Sequence, residues 1–525
     1  MKKETLFAVA DCETDPFKKG RIPAPFIWGF YDGCDYRKFD TTLEFLKFAR
    51  EQPVILYAHN GGKFDWHFLL DYLDEFSEVM IIAGRLARFK IGECEFRDSY
   101  NILPVPLAAY KKDEVDYAIF EPGERDKPAN RQIIEDYLRS DCVYLYQLVE
   151  QYIVQYGVTL TIAGAAVKQW QKIANVKAPK TSKNFYDAVK PYYYGGRVEC
   201  FRYGVFKTKF KVIDVNSSYP YAMMNLHPYG EISNVSRDLP HSIAYIQRSM
   251  ITLIGACNGA FPYPDKTGLH FPNDNTVREY NVTGWEYLAA MDTGALGVHE
   301  ITKVVRFSDS VRFDDYVSHF YKLKNESKKG SPDYIFAKLF LNSLYGKFGA
   351  NPDKYHEHII VKPRNIAQAE NDGYEHCAFI GPWSLCAKPL DENKQHYYNV
   401  ATAASITGFM RAMLWRAMSQ CQVVLYCDTD SIACIDTGKL KLHPTDLGAW
   451  DVEAECNYGA IAGKKLYAFK TTTGKWKTAS KGVRLTEKEI VKVAKGKTVV
   501  YDPIAPSFSA KRGIRFVPRK IEMKC

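Results

Sequence analysis

No two of the 13 cysteines are spaced C-x-x-C, which excludes a zinc ribbon and a dithiol redox pair. Their number is odd, and Cys12, Cys142, Cys427 and Cys434 stand in apolar stretches, as reduced core thiols do. A reducing, cytoplasmic setting is expected. No run of 18 apolar residues occurs, so neither a membrane span nor a membrane partner is expected. The opening, Met1-Lys-Lys-Glu-Thr-Leu-Phe7, meets acidic residues by Asp11 and does not read as a signal peptide. Internal repeats and low-complexity tracts are missing. Acids are scarce in one place. Residues 461–525 hold 17 Lys/Arg against only Glu487, Glu489, Asp502 and Glu522, a surplus of 13, while the other 460 residues sum to −4. A basic lobe on a nearly neutral body points to a polyanion, DNA or RNA first. A solvated lysine face would give the same count.

What is present is ample. The chain has 525 residues, which at roughly 100–200 per domain makes about three or four domains. Hydrophobic residues are 46% and charged residues 25%, so a disordered, collagen-like or coiled-coil chain is excluded. Aromatics reach 14%, enough to fill large cores and leave rings free to stack on bases.

Residues 1–150 read as α/β. Leu6–Ala10, Phe26–Tyr31 and Val54–Tyr57 are strand candidates, and Glu135–Tyr152 carries a helical pattern. Residues 155–190 look like a helical connector, followed by Tyr192-Tyr-Tyr-Gly-Gly-Arg197. Beyond a strand ending at Asp214, mixed sequence leads to helices expected at Tyr334–Phe348 and Ala401–Met418, then a hairpin at Val423–Ile435. Residues 351–394 are too apolar for a disordered linker and too long for a simple loop, so a folded excursion, a hairpin, is expected.

Two carboxylate sets carry chemistry. Asp11 and Glu13 follow a strand, and at i and i+2 on extended chain they share a face. Asp65 ends His59-Asn-Gly-Gly-Lys-Phe-Asp65. Tyr137 and Asp141 lie one helical turn apart. Four carboxylates from three elements suit two Mg²⁺ ions, which prefer oxygen ligands and can drive phosphodiester hydrolysis. Tyr137 could orient the attacking water. The second set is Asp214, in Val212-Ile-Asp-Val-Asn-Ser-Ser-Tyr219, and Asp428 with Asp430, in Tyr426-Cys-Asp-Thr-Asp-Ser431. Between them Lys338, Asn342 and Tyr345 fall on one helix face, with Gly346 next. Two metals, a lysine for phosphates and a flat tyrosine beside a glycine are what nucleotidyl transfer needs. Singly, each could be a turn or a surface residue; the ordered pair of sets is specific.

The first set resembles the three motifs of RNase H-like proofreading 3′–5′ exonucleases. The second resembles the D-x-x-S-x-Y-P, K-x-x-x-N-S-x-Y-G and Y-x-D-T-D-S motifs of family B DNA polymerases. Tyr193, Gly195 and Gly196 match Y-x-G-G, and Lys465 with Tyr467 matches K-x-Y. The 124 residues from Asp214 to Lys338 and the 79 between Gly346 and Tyr426 look like two inserted subdomains. Together these narrow the resemblance to the protein-primed branch of bacteriophages and linear plasmids. Asp15-Pro-Phe, Arg21-Ile-Pro and Trp28-Gly-Phe-Tyr31 are most similar to its tectivirus-type members.

The resemblance implies an α/β and α+β multidomain fold: an RNase H-like exonuclease, then a right hand of palm, fingers and thumb with two insertions. It assigns 1–165 to the exonuclease, 166–230 to the connector and first palm segment, 231–305 to the first insertion (the terminal-protein region type), 306–350 to the fingers, 351–395 to the second insertion, 396–455 to the palm and 456–525 to the thumb. It implies two Mg²⁺ per site, with Mn²⁺ as an alternative. Asp11, Glu13, Asp65 and Asp141 would hold them in the exonuclease. Asp214, the Val215 carbonyl and Asp430 would do so in the palm, with Asp428 assisting. Lys112 matches a catalytic lysine, with Lys111 the alternative. Val215, Tyr219 (as sugar gate), Lys338, Asn342 and Tyr345 would bind the nucleotide. Tyr57, His59, Asn60, Phe68, Ser99, Tyr193, Gly195, Gly196, Gly346, Thr429, Lys465 and Tyr467 would bind DNA. The loop ending at Asp65 carries one residue more than the common phage pattern, so Trp66 stays an alternative to Phe68. A further triphosphate ligand lies among Lys322, Lys324, Lys328 and Lys329. Primer-template DNA, dNTPs and a terminal protein supplying the priming hydroxyl are the implied partners of a strand-displacing monomer in the host cytoplasm. A stand-alone nuclease and a non-catalytic DNA-binding scaffold are the rival readings; the intact acids of both sets argue against them.

Overall fold

The computed structural model describes residues 6–178 and 180–523. The start of the N-terminal opening, Pro179, Lys524 and Cys525 lie outside the described residues. Among the described residues no disulfide occurs, and Cys12, Cys142, Cys427 and Cys434 are buried. No helix there is long and apolar enough to cross a membrane.

The N-terminal unit is a seven-stranded sheet. Its order is Tyr36–Phe39, Pro25–Tyr31, Phe7–Thr14, Ile55–Ala58, Cys94–Asp98, Arg85–Ile91, Met80–Ile82. Phe7–Thr14, Ile55–Ala58 and Cys94–Asp98 run parallel and are almost wholly apolar on their buried faces, as central parallel strands are. Phe7–Thr14 continues past Ala10, so Asp11 and Glu13 belong to the strand itself. The helix Pro128–Tyr156 starts with proline at its first turn and stops at Gly157, whose φ of 75° suits glycine. It is longer at both ends than its apolar periodicity shows.

The second sheet has eight strands. The main path runs Trp476–Ser480, Leu466–Thr471, Trp450–Gly463, Phe210–Val215, Ser431–Asp436, Gln422–Asp428, Val198–Cys200, and Gly204–Phe206 pairs with Trp450–Gly463. The helix Val400–Gln420 lies beneath it. Leu414, Ala417 and Met418 pack there against Ile213, Val215, Cys427 and Ile432. The helix Pro332–Phe348 shares one core with Pro128–Tyr156: Tyr156 meets Phe340 at 4.4 Å and Phe336 at 5.7 Å between ring centroids. That shared core joins the two units rigidly.

Two excursions leave the second unit. The first carries a four-stranded antiparallel sheet whose strands His227–Ser236 and Leu296–Val311 reach beyond the 231–305 window. The second corrects the expected hairpin. Residues 351–394 form a three-stranded antiparallel sheet with Trp383–Pro389 central, backed by the helix Ile366–Asn371. A third strand gives Ile359, Val361 and Cys386 a face to bury against Ala369. Its other face docks on the N-terminal unit: Ile360, Ile380, Trp383 and Leu385 enter the core around Trp66 and Leu69, and Trp383 Nε1 donates to the Leu70 carbonyl at 2.8 Å. The C-terminal lobe holds the helix Glu487–Ala494, started by a capping box of Thr486 and Glu489.

Candidate active sites

At the N-terminal site, strand alternation aims Asp11 and Glu13 toward the helix Pro128–Tyr156, and Asp141 comes down from that helix. Ligand atoms of the three lie within 4.8 Å of one another. Asp65 joins them from beyond the strand Ile55–Ala58, but its Oδ1 accepts from the Cys12 amide at 3.3 Å and the Cys12 thiol at 3.2 Å. Burial, then the neighbouring acids, hold Asp11 well above the ordinary carboxylate range. Burial and Asp141 push Glu13 up to about 8, and burial raises Asp65 to about 6 against its Cys12 bonds. Lys112 Nζ sits 3.3 Å from Asp141 and 5.5 Å from the centre of the Tyr137 ring. Burial opposes its charge, but Asp141 and the other anions outweigh it and raise its pKa. Lys111 instead lies over Tyr110 and Tyr144, and of the two only Lys112 lines the cleft. Tyr137 is buried, with its hydroxyl 3.1 Å from that of Tyr117.

The cleft around these groups encloses about 760 Å³. Phe508, Pro506 and Arg484 of the C-terminal lobe form part of its wall, a contribution no local pattern announces. His59, Asn60 and Phe64 also line it. Three of the residues expected to contact DNA do not line the cleft. Tyr57 and Ser99 are buried; Ser99 Oγ donates to the Ala58 carbonyl and lies 3.1 Å from His59 Nδ1, fixing that ring. Phe68 does not line the cleft, and the alternative Trp66 is wholly buried. Asp65–Tyr72 winds as a 3₁₀-helix, where i and i+3 share a face, so Trp66 and Leu69 turn into the core together and Phe64 is left at the mouth.

At the second site, Asp214 is the last residue but one of the strand Phe210–Val215, and Asp430 stands in the turn of the adjacent hairpin, Ser431 pairing with Asp214. Asp214, Val215, Ser218, Lys338, Asn342 and Asp430 line a cavity of about 300 Å³. Ser218 Oγ donates to Asp430 at 2.5 Å, and the Val215 amide to the Asp430 carbonyl at 3.0 Å. Burial, then Asp430, push Asp214 up to about 7. Of the four candidate lysines, Lys324 reaches the cavity, its Nζ 3.3 Å from Ser217 Oγ. Lys322 leans outward toward Glu326, and neither Lys328 nor Lys329 lines the cavity. Tyr219 and Tyr345 stack, 4.2 Å and 7° apart, placing the expected sugar gate against the helix Pro332–Phe348. Gly346 has open space where a Cβ would stand.

The Tyr193–Arg197 loop clamps this site. A Cβ on Gly349 would come within 2.4 Å of the Tyr193 ring, and one on Gly196 within 2.8 Å of Thr429. The Arg197 carbonyl accepts from the Thr429 amide at 2.6 Å. Arg411 donates to the Tyr194 and Gly195 carbonyls at 2.7 and 2.8 Å and to Glu286 at 2.7 Å; both charged residues are almost wholly buried. Sequence reasoning missed this pair, although an arginine in the apolar middle of the helix Val400–Gln420, between Met410 and Ala412, is a signal. Lys465 Nζ binds both oxygens of Asp428, and its amide donates to the Tyr426 hydroxyl at 2.9 Å. Tyr467 packs against Tyr426 with ring centroids 5.0 Å apart, tilted at 57°. Asn60, Ser217, Thr429 and Lys465 are among the nine described non-glycine residues of positive φ; such strain persists where surroundings fix it, here at both sites.

Residues 106–412 match the family described as DNA polymerase type B, organellar and viral. The DNA-directed DNA polymerase of Enterobacteria phage PRD1 is 36% identical, over 99% of this chain and 98% of its own. The chain belongs to the type B DNA polymerases of organelles and viruses. It is a DNA-directed DNA polymerase of the phage kind. The DNA polymerase of Bacillus phage Nf is 24% identical over 91% of this chain and 90% of its own. In fold, the chain is similar to phi29 DNA polymerase complexed with primer-template DNA, with a TM-score of 0.75 over 99% of this chain and 100% of that one at 19% identity. That likeness shows a multidomain fold of mixed α/β type along the whole chain.

Proposed function

We propose that this polymerase proofreads with its own 3′–5′ exonuclease, starts from a hydroxyl of a terminal protein, displaces the strand ahead and copies a linear phage or plasmid genome. The observation that carries the reading is the presence of two separate carboxylate sites, each in its own lined cavity. Both donor sets are hard oxygens. At the first, burial and mutual repulsion disfavour the charged forms, which is the condition a divalent cation relieves, so Mg²⁺ fits. Asp11, Glu13, Asp65 and Asp141 would hold ions at one site; Asp214, the Val215 carbonyl and Asp430 at the other. Ions bound there lower the pKa of an attacking water or hydroxyl and stabilise the leaving oxygen.

In the exonuclease, Lys112 offsets charge beside Asp141, and Tyr137 orients the water. His59 is kept neutral, lowered to about 4 chiefly by burial; held by Ser99 and the Val105 carbonyl, it sets the loop from which Asn60 meets the unpaired strand. In the palm, Lys338 and Lys324 face the triphosphate from two helices. Tyr219, backed by Tyr345, closes the space beside the sugar 2′ carbon. Lys465 and Tyr467 hold the primer end from the C-terminal lobe, with Tyr193, Gly195, Gly196, Gly346 and Thr429 shaping the DNA path. Residues 1–165 would be the exonuclease, 396–455 with 166–230 the palm, 306–350 the fingers and 456–525 the thumb. The exposed Ile254, Val277 and Val298 of the first excursion support a protein-binding role for 231–305. Incubation with Mg²⁺, labelled dNTP and either a DNA primer or a purified terminal protein tests the reading. Label joined covalently to the protein primer supports it; extension of DNA primers alone would reduce the chain to an ordinary DNA-primed polymerase.

A further inference from the structure

A groove of about 730 Å³ lies on the C-terminal lobe, and neither carboxylate set contributes to it. Side chains alternate along the strand Leu466–Thr471. Tyr467 and Phe469 face the catalytic side, where they meet Tyr426 at 5.0 Å and Phe210 at 5.1 Å. Ala468 faces the other way, against Ile490 and Val493 of the helix Glu487–Ala494. Lys470 shares the side of Ala468, so the groove opens on the face of the sheet away from Asp428.

Its floor is aromatic. Trp476 is paired in register with Lys470, whose Nζ lies 5.9 Å from the ring centre, and it remains 37% exposed. Tyr458 meets it edge-on at 5.7 Å and 85°, holding the indole in one orientation. Lys207, Lys470, Lys488 and Lys492 rise around it, against a single acid, Glu487. Lys488 and Lys492 stand one helical turn apart and project the same way.

A fixed, exposed indole amid lysines selects among polyanions. A duplex would use the lysines, but its bases are stacked inside and cannot reach the ring. An acidic peptide would use the lysines and has no need of a flat surface. An unpaired nucleic acid uses both, a base on the ring and phosphates on the ammonium groups. We propose that this groove is a second DNA site, holding a short unpaired stretch outside the catalytic cleft. The inference stands whether or not the chain is protein-primed or proofreading.

The test uses the full chain saturated with a blunt-ended DNA duplex, with fluorescein-labelled dT8 as probe and anisotropy as readout. The probe is expected to bind with the duplex in place. Trp476→Ala should weaken that binding about tenfold, the loss of one stacked base. Trp476→Phe should restore most of it, which a folding defect would not allow. Lys488→Ala with Lys492→Ala should lower the slope of log K against log[salt] by about 1.4. Extension of a short primed template should be unchanged in all these variants. Parental binding by Trp476→Ala, or full competition of dT8 by the duplex, would overturn the proposal. Displacement of dT8 by an equal concentration of an eight-residue glutamate peptide would overturn it in favour of a protein-docking surface.

Discussion

Lys465 Nζ lies 2.7 and 2.8 Å from the two carboxylate oxygens of Asp428, tying the C-terminal lobe to the hairpin that carries Asp430. Asp428 therefore has a protein counter-charge, whereas Asp214 and Asp430 share their cavity with Lys338 and Lys324 at its far wall. Asp214 and Asp430 form no ion pair among the described residues, so in the proposed reading they are the acids open to a cation, and the Lys465–Asp428 pair joins the C-terminal lobe to their hairpin.

Lys465→Ala is expected to cut primer extension and to shift a bound primer end toward the nuclease. The salt slope of primer-template binding should fall by roughly one unit, the loss of one phosphate contact. Gel-shift titrations across salt, alongside the ratio of extension to degradation, read this. An unaltered slope and ratio would make Lys465 a structural partner of Asp428 and nothing more.

Only one of two adjacent lysines enters the N-terminal cleft. Lys112→Ala should lower single-strand degradation by about 10- to 100-fold, the usual cost of losing a group that orients metal-bound carboxylates. Lys111→Ala should leave it near the parental rate. Equal losses in both variants would contradict the placement of Lys112 against Asp141.

Tyr219→Val should raise ribonucleotide incorporation while deoxynucleotide use falls less. Tyr345 backs the ring at 4.2 Å, so the gate is rigid, and shortening it opens space beside the sugar. Parallel incorporation assays with dNTP and rNTP decide it; unchanged discrimination would leave Tyr219 a packing residue.

Both carboxylate motifs were legible because each depends on local geometry: i, i+2 on a strand for Asp11 and Glu13, one helical turn for Lys338 to Asn342, a two-acid turn for Asp428 and Asp430. The helices Pro332–Phe348 and Val400–Gln420 were likewise placed to within about two residues of their ends. Long-range pairs were not legible. Nothing near Arg411 names Glu286 as its partner, and nothing near Phe508 says that it walls the N-terminal cleft. The apolar side chains of residues 351–394 signalled a folded excursion but not its second face. That face packs on Trp66 and Leu69, so removing the whole segment would also uncover the nuclease core.

The N-terminal carboxylates set a pH dependence in the metal-free protein. Glu13 binds its proton more tightly folded than unfolded, with a folded value of about 8 against an ordinary 4.5. Its stabilising contribution is therefore full below about pH 4.5 and lost as pH rises through about 8. In EDTA at pH 8.5, Glu13→Gln should raise Tm by several degrees, and the gain should shrink toward pH 5. Adding Mg²⁺ should raise the parental Tm and not that of the variant to the same degree. A lower Tm for Glu13→Gln in EDTA at pH 8.5 would mean that the cluster is not strained without a cation.

The most direct test of two independent metal-dependent sites is a crossed pair of variants, Asp11→Ala with Glu13→Ala against Asp214→Ala with Asp430→Ala. Both are assayed in Mg²⁺ for single-strand degradation and for primer extension. The first should lose degradation by two or more orders of magnitude and keep extension; the second should lose extension and keep degradation. Loss of both activities in either folded variant would contradict the account and place the chemistry in one shared site.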